Sequence, residues 1–157
     1  MTNKEIKIAY TEYASLEELN PQDRILAEAA IKAIATSYAP YSSFNVGAAV
    51  RFIDGEIIKG SNQENAAYPS GMCAERTALF YASASRPDVS INALAIAAAQ
   101  NGVLISDPVS PCGACRQVMA QYQFKSGNPM EIILIGANRI WKFPNVESLL
   151  PFIFDSI

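Results

Sequence analysis

Residues 93–99 read Ala-Leu-Ala-Ile-Ala-Ala-Ala, a run without a single polar side chain. It is far short of the roughly 18 residues of a membrane span, but it has the length of a strand. A strand that is apolar on both faces must be covered on both faces. That requirement points to a layered α/β domain, with helices packed on a central sheet. The 157 residues suit one domain, and 50% hydrophobic against 17% charged residues can fill a core without disulfide or metal staples.

The rest of the chain supplies the partners for that strand. Residues 46–53 read as a strand, Asp54-Gly55 as a two-residue hairpin turn and 56–59 as the returning strand. Ile132 to Gly136 is a second buried strand, and Ile140 to Phe143 a last one. Ile6, Ile8 and Tyr10 alternate with polar neighbours, which predicts a short edge strand, followed by one helical turn at Ser15 to Leu19. Asn20-Pro21 is a helix start, since Asn caps free N–H groups, Pro fits the first helical position and Asp23 favours the positive end of the dipole. The stripe Ile25, Leu26, Ala29, Ala30, Ala33, Ile34 carries this helix toward Tyr38. Two more helices are expected from Cys73 to about Ser85 and from Cys112 to about Tyr122, and Asn145 is placed to cap a final one through Leu150.

Composition removes several kinds of chemistry. With no histidine, Ser-His-Asp and Cys-His nucleophilic sites and two-histidine zinc proteases are excluded. Twelve Lys and Arg against 15 Asp and Glu, a net charge of −3, give no footprint for nucleic acid or an anionic membrane. Met-Thr-Asn-Lys-Glu at the start has no hydrophobic leader region. The odd count of three cysteines argues against a closed disulfide framework, so a cytoplasmic protein with reduced thiols is expected.

All three cysteines fall at two expected helix starts, Met72-Cys73-Ala74-Glu75-Arg76 and Pro111-Cys112-Gly113-Ala114-Cys115-Arg116. Cys112-x-x-Cys115 places two sulfurs on one side of a first turn, where free N–H groups favour thiolate. By itself this spacing also suits a redox dithiol or two core cysteines. Cys73 weights it toward zinc. Three thiolates make only three ligands, whereas structural sites normally close with four and catalytic sites keep a position open. Glu75 is then a base placed to take a proton from water at the open position; in isolation it would read as a first-turn acid that satisfies the helix dipole. Arg76 and Arg116 are placed to offset the excess negative charge by donating to sulfur, or to form surface ion pairs.

Cys-Ala-Glu followed by Pro-Cys-x-x-Cys resembles the zinc nucleobase deaminases, and cysteine in place of their usual histidine resembles the small homotetrameric cytidine deaminases. Further segments are similar to that family: Tyr41-Ser42-Ser43-Phe44-Asn45-Val46-Gly47-Ala48-Ala49, Asn62-Gln63-Glu64-Asn65-Ala66 with Tyr68-Pro69, Pro111 through Gln117, and Leu149-Leu150-Pro151 with Phe154. The resemblance covers roughly residues 21–154 and has no counterpart for residues 1–20.

The resemblance implies a three-layer α/β/α sandwich around a mixed sheet of about five strands, as one domain over residues 1–157 with residues 1–20 as an extension. It implies one zinc per chain on Cys73, Cys112 and Cys115, with Glu75 shuttling protons. Asn62 and Glu64 would hold the ribose 3′-hydroxyl, Phe44 would pack on the pyrimidine, and backbone groups near Ala74 and Ser110 would meet its polar edge. Tyr68 and Phe154 would reach a neighbouring subunit's site in a homotetramer. The implied reaction is hydrolytic deamination of free cytidine and deoxycytidine, a step of pyrimidine salvage. Rival readings are a blasticidin-type deaminase, against which the Asn62-x-Glu64 motif argues, and a tRNA adenosine deaminase, against which Cys73 argues. A non-catalytic zinc-stabilised binding protein and a thiol oxidoreductase are the readings outside the deaminases.

Overall fold

The structure, a computed structural model, describes residues 1–155. Seven strands form one mixed sheet: β1 (Thr11–Tyr13), β2 (Phe44–Phe52), β3 (Ile57–Ser61), β4 (Ile91–Gln100), β5 (Val103–Leu104), β6 (Glu131–Ile135) and β7 (Ile140–Phe143). Their order is β1-β7-β6-β4-β2-β3, with β5 on the end of β4. The β4–β6 pair is parallel, and all other pairs are antiparallel. Three α-helices cover the sheet, α1 (Pro21–Ala33), α2 (Ala74–Ser85) and α3 (Gly113–Ser126). None of the helices among the described residues is long and apolar enough to cross a membrane.

The apolar run sits in β4 and is buried on both faces. Ala93, Ala95 and Ala97 face α1 with Leu26, Ala27 and Ala30. Leu94 and Ile96 face α2 and α3 with Ala78, Leu79 and Met119. Three layers result, as expected. The small residues on the α1 side let that helix approach closely: a Cβ on Gly47 would lie 2.1 Å from the Ala30 carbonyl oxygen.

Two other close approaches position the site. A Cβ on Gly60 of β3 would lie 2.5 Å from the Ala78 nitrogen and 2.9 Å from the Ala74 oxygen, so the first turns of α2 rest directly on strand backbone. A Cβ on Gly136 would lie 2.6 Å from the Ser106 oxygen, so the loop leading to α3 lies against the end of β6.

Four details differ from the sequence reading. The sheet has seven strands rather than about five, because β1 and the two-residue β5 join it. The N-terminal strand is Thr11–Tyr13, not residues 6–10. Tyr10 instead stacks on the Phe143 ring at 5.3 Å and meets Trp141 edge-on, while the Trp141 indole donates to Glu12. Pairing is set by those partners and not by the alternation before them. Helix α1 ends at Ala33 and continues only as a 3-10 turn to Thr36, whose hydroxyl donates to the Ala33 carbonyl. Asn145 does cap a helical segment, accepting from the Ser148 N–H, but it is a single 3-10 turn, Val146–Ser148. Pro151 disfavours helical geometry at Leu150, and the Leu149 carbonyl is taken by Arg116.

Candidate active site

Cys73 and Cys112 are the N-cap residues of α2 and α3. Both have extended backbone and neither side chain makes a capping hydrogen bond, so the sulfurs are left for other partners at helix starts, where negative charge is favoured. Cys115 lies one turn into α3 and is fully buried, Cys73 is half-buried and Cys112 is exposed. The three sulfurs all lie within 4.8 Å of one another.

Their protonation is shared. The Cys115 thiol donates toward Cys73 and, against the cost of burial, helps the Arg76 guanidinium to hold the Cys73 thiol down to about 5. The same bond, then burial and the nearby Glu75 charge, push the Cys115 thiol up. Three sulfurs at this spacing could hold a metal ion. With zinc–sulfur bonds of about 2.3 Å, a tetrahedral ion separates its sulfurs by roughly 3.8 Å, within the range found here. The donor set therefore fits zinc, and Cys73, Cys112 and Cys115 can hold it.

Glu75 projects from the first turn of α2 and is only 6% exposed. Burial raises its carboxyl above the ordinary range, and the Cys73 charge adds to that, against its own backbone N–H, Cys115 and Arg76. Arg76 donates from Nη2 to the Cys73 sulfur at 3.5 Å, as its spacing predicts. Its buried Nε–H has no hydrogen-bond partner among the described residues. Arg116 does not follow the prediction. Its Nε donates to the Pro111 carbonyl at 2.9 Å and its Nη1 to the Leu149 carbonyl at 2.7 Å, so its hydrogen bonds go to backbone and not to sulfur.

A cavity of about 470 Å³ opens beside Cys73 and Arg76, walled by Tyr41, Ser42, Asn62, Gln63, Glu64 and Tyr68 among others. Asn62 presents a defined amide. Its Oδ1 accepts from the Val46 N–H at 2.8 Å and the Ser37 hydroxyl at 2.6 Å, and its Nδ2 donates to the Phe44 carbonyl at 2.9 Å. One N–H of that amide remains. Glu64 accepts from the N–H groups of Tyr41 and Ser42 and from the Ser42 hydroxyl. The hydroxyl contact comes first among the causes that hold its carboxyl below the ordinary range. A carboxylate has about four acceptor positions, so one is left. One donor and one acceptor are what a single ligand hydroxyl needs.

Phe44 begins β2 and is half-buried, and its carbonyl is the acceptor for Asn62. Ala74 is fully buried at the start of α2, and Ser110 is exposed just before Pro111. Tyr68 lines this chain's own cavity, with its ring 6.1 Å from that of Tyr41. Phe154 is not brought there; it lies against a different hollow with Ala120, Phe124 and Ile153, beside α3. The sequence reading assigned no role to Ser42. It ties Glu64 to the loop, accepts from the Phe44 N–H at 3.0 Å and precedes Ser43, a non-glycine residue at φ 55°. The available signal was a serine two residues before an aromatic, which many loops share.

Comparison with known proteins bears on the same residues. Residues 20–127 match the family model described as the cytidine and deoxycytidylate deaminase zinc-binding region. A cytidine deaminase of Sporosarcina psychrophila is 42% identical over 133 residues, covering 85% of this chain and 90% of that protein. A cytidine deaminase of Halalkalibacterium halodurans is 50% identical over 99 residues, 62% of this chain and 70% of that protein. Among solved structures, the cytidine deaminase of Burkholderia pseudomallei superposes with a TM-score of 0.66 at 39% identity, over 83% of this chain and 97% of the other. That of Mycobacterium tuberculosis gives 0.68 at 31% identity, over 87% and 100%.

Proposed function

The chain belongs to the cytidine and deoxycytidylate deaminase family, and from that premise we propose that it hydrolyses the exocyclic amino group of free cytidine and deoxycytidine. The products are uridine or deoxyuridine and ammonia, a reaction of pyrimidine salvage. The observation that carries this reading is the convergence of three cysteine sulfurs with a buried carboxyl beside a cavity that offers one free donor and one free acceptor.

Zinc held by Cys73, Cys112 and Cys115 supplies a Lewis acid that makes a water easier to deprotonate. The Glu75 carboxylate takes that proton and delivers it to N3 of the pyrimidine, which leaves C4 open to attack. Water oxygen adds to C4, Glu75 carries the remaining proton of that hydroxyl to the amino nitrogen, the C4–N bond breaks as the C4 carbonyl forms, and ammonia departs. Burial suits Glu75 to this traffic, because a carboxyl raised above its ordinary range takes up a proton more readily and can return it. Arg76 keeps charge on the Cys73 sulfur. Asn62 and Glu64 orient the sugar by one hydroxyl, Phe44 packs on the base, and backbone groups at Ala74 and Ser110 meet its polar edge.

We further propose that residues 1–157 act as one domain, that the protein works in the cytoplasm, and that it assembles as a homotetramer. The free thiols fit a reducing compartment. Tyr68 and Phe154 are 76% and 68% exposed, as residues that complete a neighbour's site must be. The deciding experiment pairs a zinc assay on the purified protein with ultraviolet time courses on cytidine, deoxycytidine and adenosine. Zinc near one per chain with conversion of the pyrimidine nucleosides is expected. Stoichiometric zinc without turnover of any nucleoside would leave a zinc-stabilised binding protein.

A further inference from the structure

Helix α3 does more than carry two sulfurs. Along one side it collects the C-terminal segment, residues 146–154, by side-chain hydrogen bonds to backbone. Gln123 Oε1 accepts from the Val146 N–H at 3.0 Å. Arg116 donates to the Leu149 carbonyl at 2.7 Å. Gln117 donates to the Phe154 carbonyl at 2.7 Å and accepts from its N–H at 3.4 Å, pairing that residue as a neighbouring strand would. Outside the 3-10 turn this segment has no regular structure, so α3 supplies partners that its backbone requires.

Arg116 alone also reaches the other way. Its Nε holds the Pro111 carbonyl at 2.9 Å, and its backbone N–H holds the Cys112 carbonyl at 3.0 Å. Both bonds brace the turn from Ser110 to Cys112, and the side-chain one is specific to arginine. Cys112 is the exposed one of the three sulfur residues, so packing does little to fix it. A guanidinium presents several N–H donors in a rigid fork, and here the fork spans two carbonyls that are 38 positions apart (149 − 111).

We propose that Arg116 is a positioning residue which fastens the Cys112 turn to the C-terminal segment, so that retention of the metal depends on the bridge between the Pro111 and Leu149 carbonyls. This rests on the zinc reading given above. It differs from charge compensation, because Arg76 already faces sulfur and both Arg116 side-chain bonds go to backbone oxygens. Lysine therefore separates the two roles: it keeps the charge and loses the fork.

The test uses zinc-loaded full-length protein mixed with a chelating dye, 4-(2-pyridylazo)resorcinol, and follows zinc transfer. Loss of groups that orient metal ligands typically weakens metal binding about 10–100-fold. Arg116→Ala and Arg116→Lys are both expected to release zinc at least about tenfold faster than the parent. Both are expected to alter the thiolate absorption of the cobalt-substituted protein. Gln117→Ala, which frees only Phe154, is expected to keep the parental release rate and spectrum. Circular dichroism checks that each variant is folded, and Arg116→Lys, which keeps stem and charge, serves if the alanine variant is not. Parental zinc release in Arg116→Lys, or in a folded Arg116→Ala, overturns the proposal. A parent protein that holds no zinc overturns the deaminase reading itself, so the two failures are distinct.

Discussion

Glu75 shows how a single residue type acquires a task from its surroundings. At a helix start its negative charge is favoured by about 0.3–1 kcal/mol, yet burial dominates and raises its carboxyl. Replacing it by Gln keeps the shape and removes the proton carrier. Glu75→Gln is expected to bind zinc at the parental ratio and to lose about 10²–10⁴-fold in kcat, the usual contribution of general acid–base catalysis; turnover within a few-fold of the parent would remove Glu75 from the mechanism. Ser42 offers a second prediction. Its hydroxyl gives to Glu64 and takes from the Phe44 N–H, holding a loop that has Ser43 in the left-handed region. Two bonds at about 1 kcal/mol each are lost in Ser42→Ala, and KM for cytidine is expected to rise on the order of tenfold with kcat nearly unchanged. Steady-state kinetics separates this from a fall in kcat alone, which would place Ser42 in the chemistry. The clustering of the cysteines, with Glu75 beside them, could be read from sequence because their spacing is local to two helix starts. Arg116 was misread because its partners are backbone carbonyls, which every residue type carries and which leave no mark in a sequence.

At the scale of elements, the site is assembled by where two helices start. Helix α2 lies on β3 because Gly60 has no side chain; an added Cβ would stand 2.5 Å from the Ala78 nitrogen and 2.9 Å from the Ala78 Cα. Backbone cannot yield as a flexible side chain does, so α2 must lift. Gly60→Ala is expected to cost about 1–3 kcal/mol. It should also lower zinc occupancy, because Cys73 moves with α2 while Cys112 and Cys115 move with α3. Thermal unfolding and zinc content measured together check this, and an unchanged zinc content would show that the two helix starts are not coupled through that contact. The helix starts themselves were legible: Asn20 caps α1 by accepting from the Asp23 N–H at 2.9 Å, as its place before Pro21 implies. The short elements were not read. β1 has three residues and exists through pairing with distant chain at Trp141, which no local pattern specifies. β5 has two residues and turns straight back on Ala99 and Gln100 across Asn101-Gly102, both at positive φ, a local hairpin signal too short to stand out without the strand it extends.

For the whole molecule, the run at 93–99 was enough to place a covered strand at the centre, but not to find the charges that pin the layers together. Asp23 read as a first-turn acid. It is in fact 2% exposed and bonded to Arg51 of β2 at 2.9 Å and Lys142 of β7 at 2.6 Å, residues 28 and 119 positions away. Lys142 also pairs with Glu131 of β6 at 2.8 Å. The helix layer is thus joined to two strands through one carboxylate, and to a third through Lys142 and Glu131. Burial pushes the Asp23 carboxyl up, but Lys142 and Arg51 outweigh it and hold it below the ordinary value. Burial pushes Lys142 down, and Asp23 with Glu131 outweighs that and raises it. Linkage then gives the sign. The Asp23 contribution is complete above the unfolded carboxyl value of about 3.9 and is lost as pH falls through the lower folded value. The Lys142 contribution is complete below about 10.4 and is lost as pH rises through the higher folded value. Asp23→Asn is expected to cost about 3–5 kcal/mol near neutrality, because it leaves Arg51 and Lys142 without their shared buried partner. The gap to the parent protein should close on the acid side, where the parental Asp23 also becomes neutral. Urea unfolding from neutral pH down to about 2 measures it, across the window in which the linked group titrates. A gap that stayed constant over that range would mean that Asp23 holds the layers by shape rather than by charge.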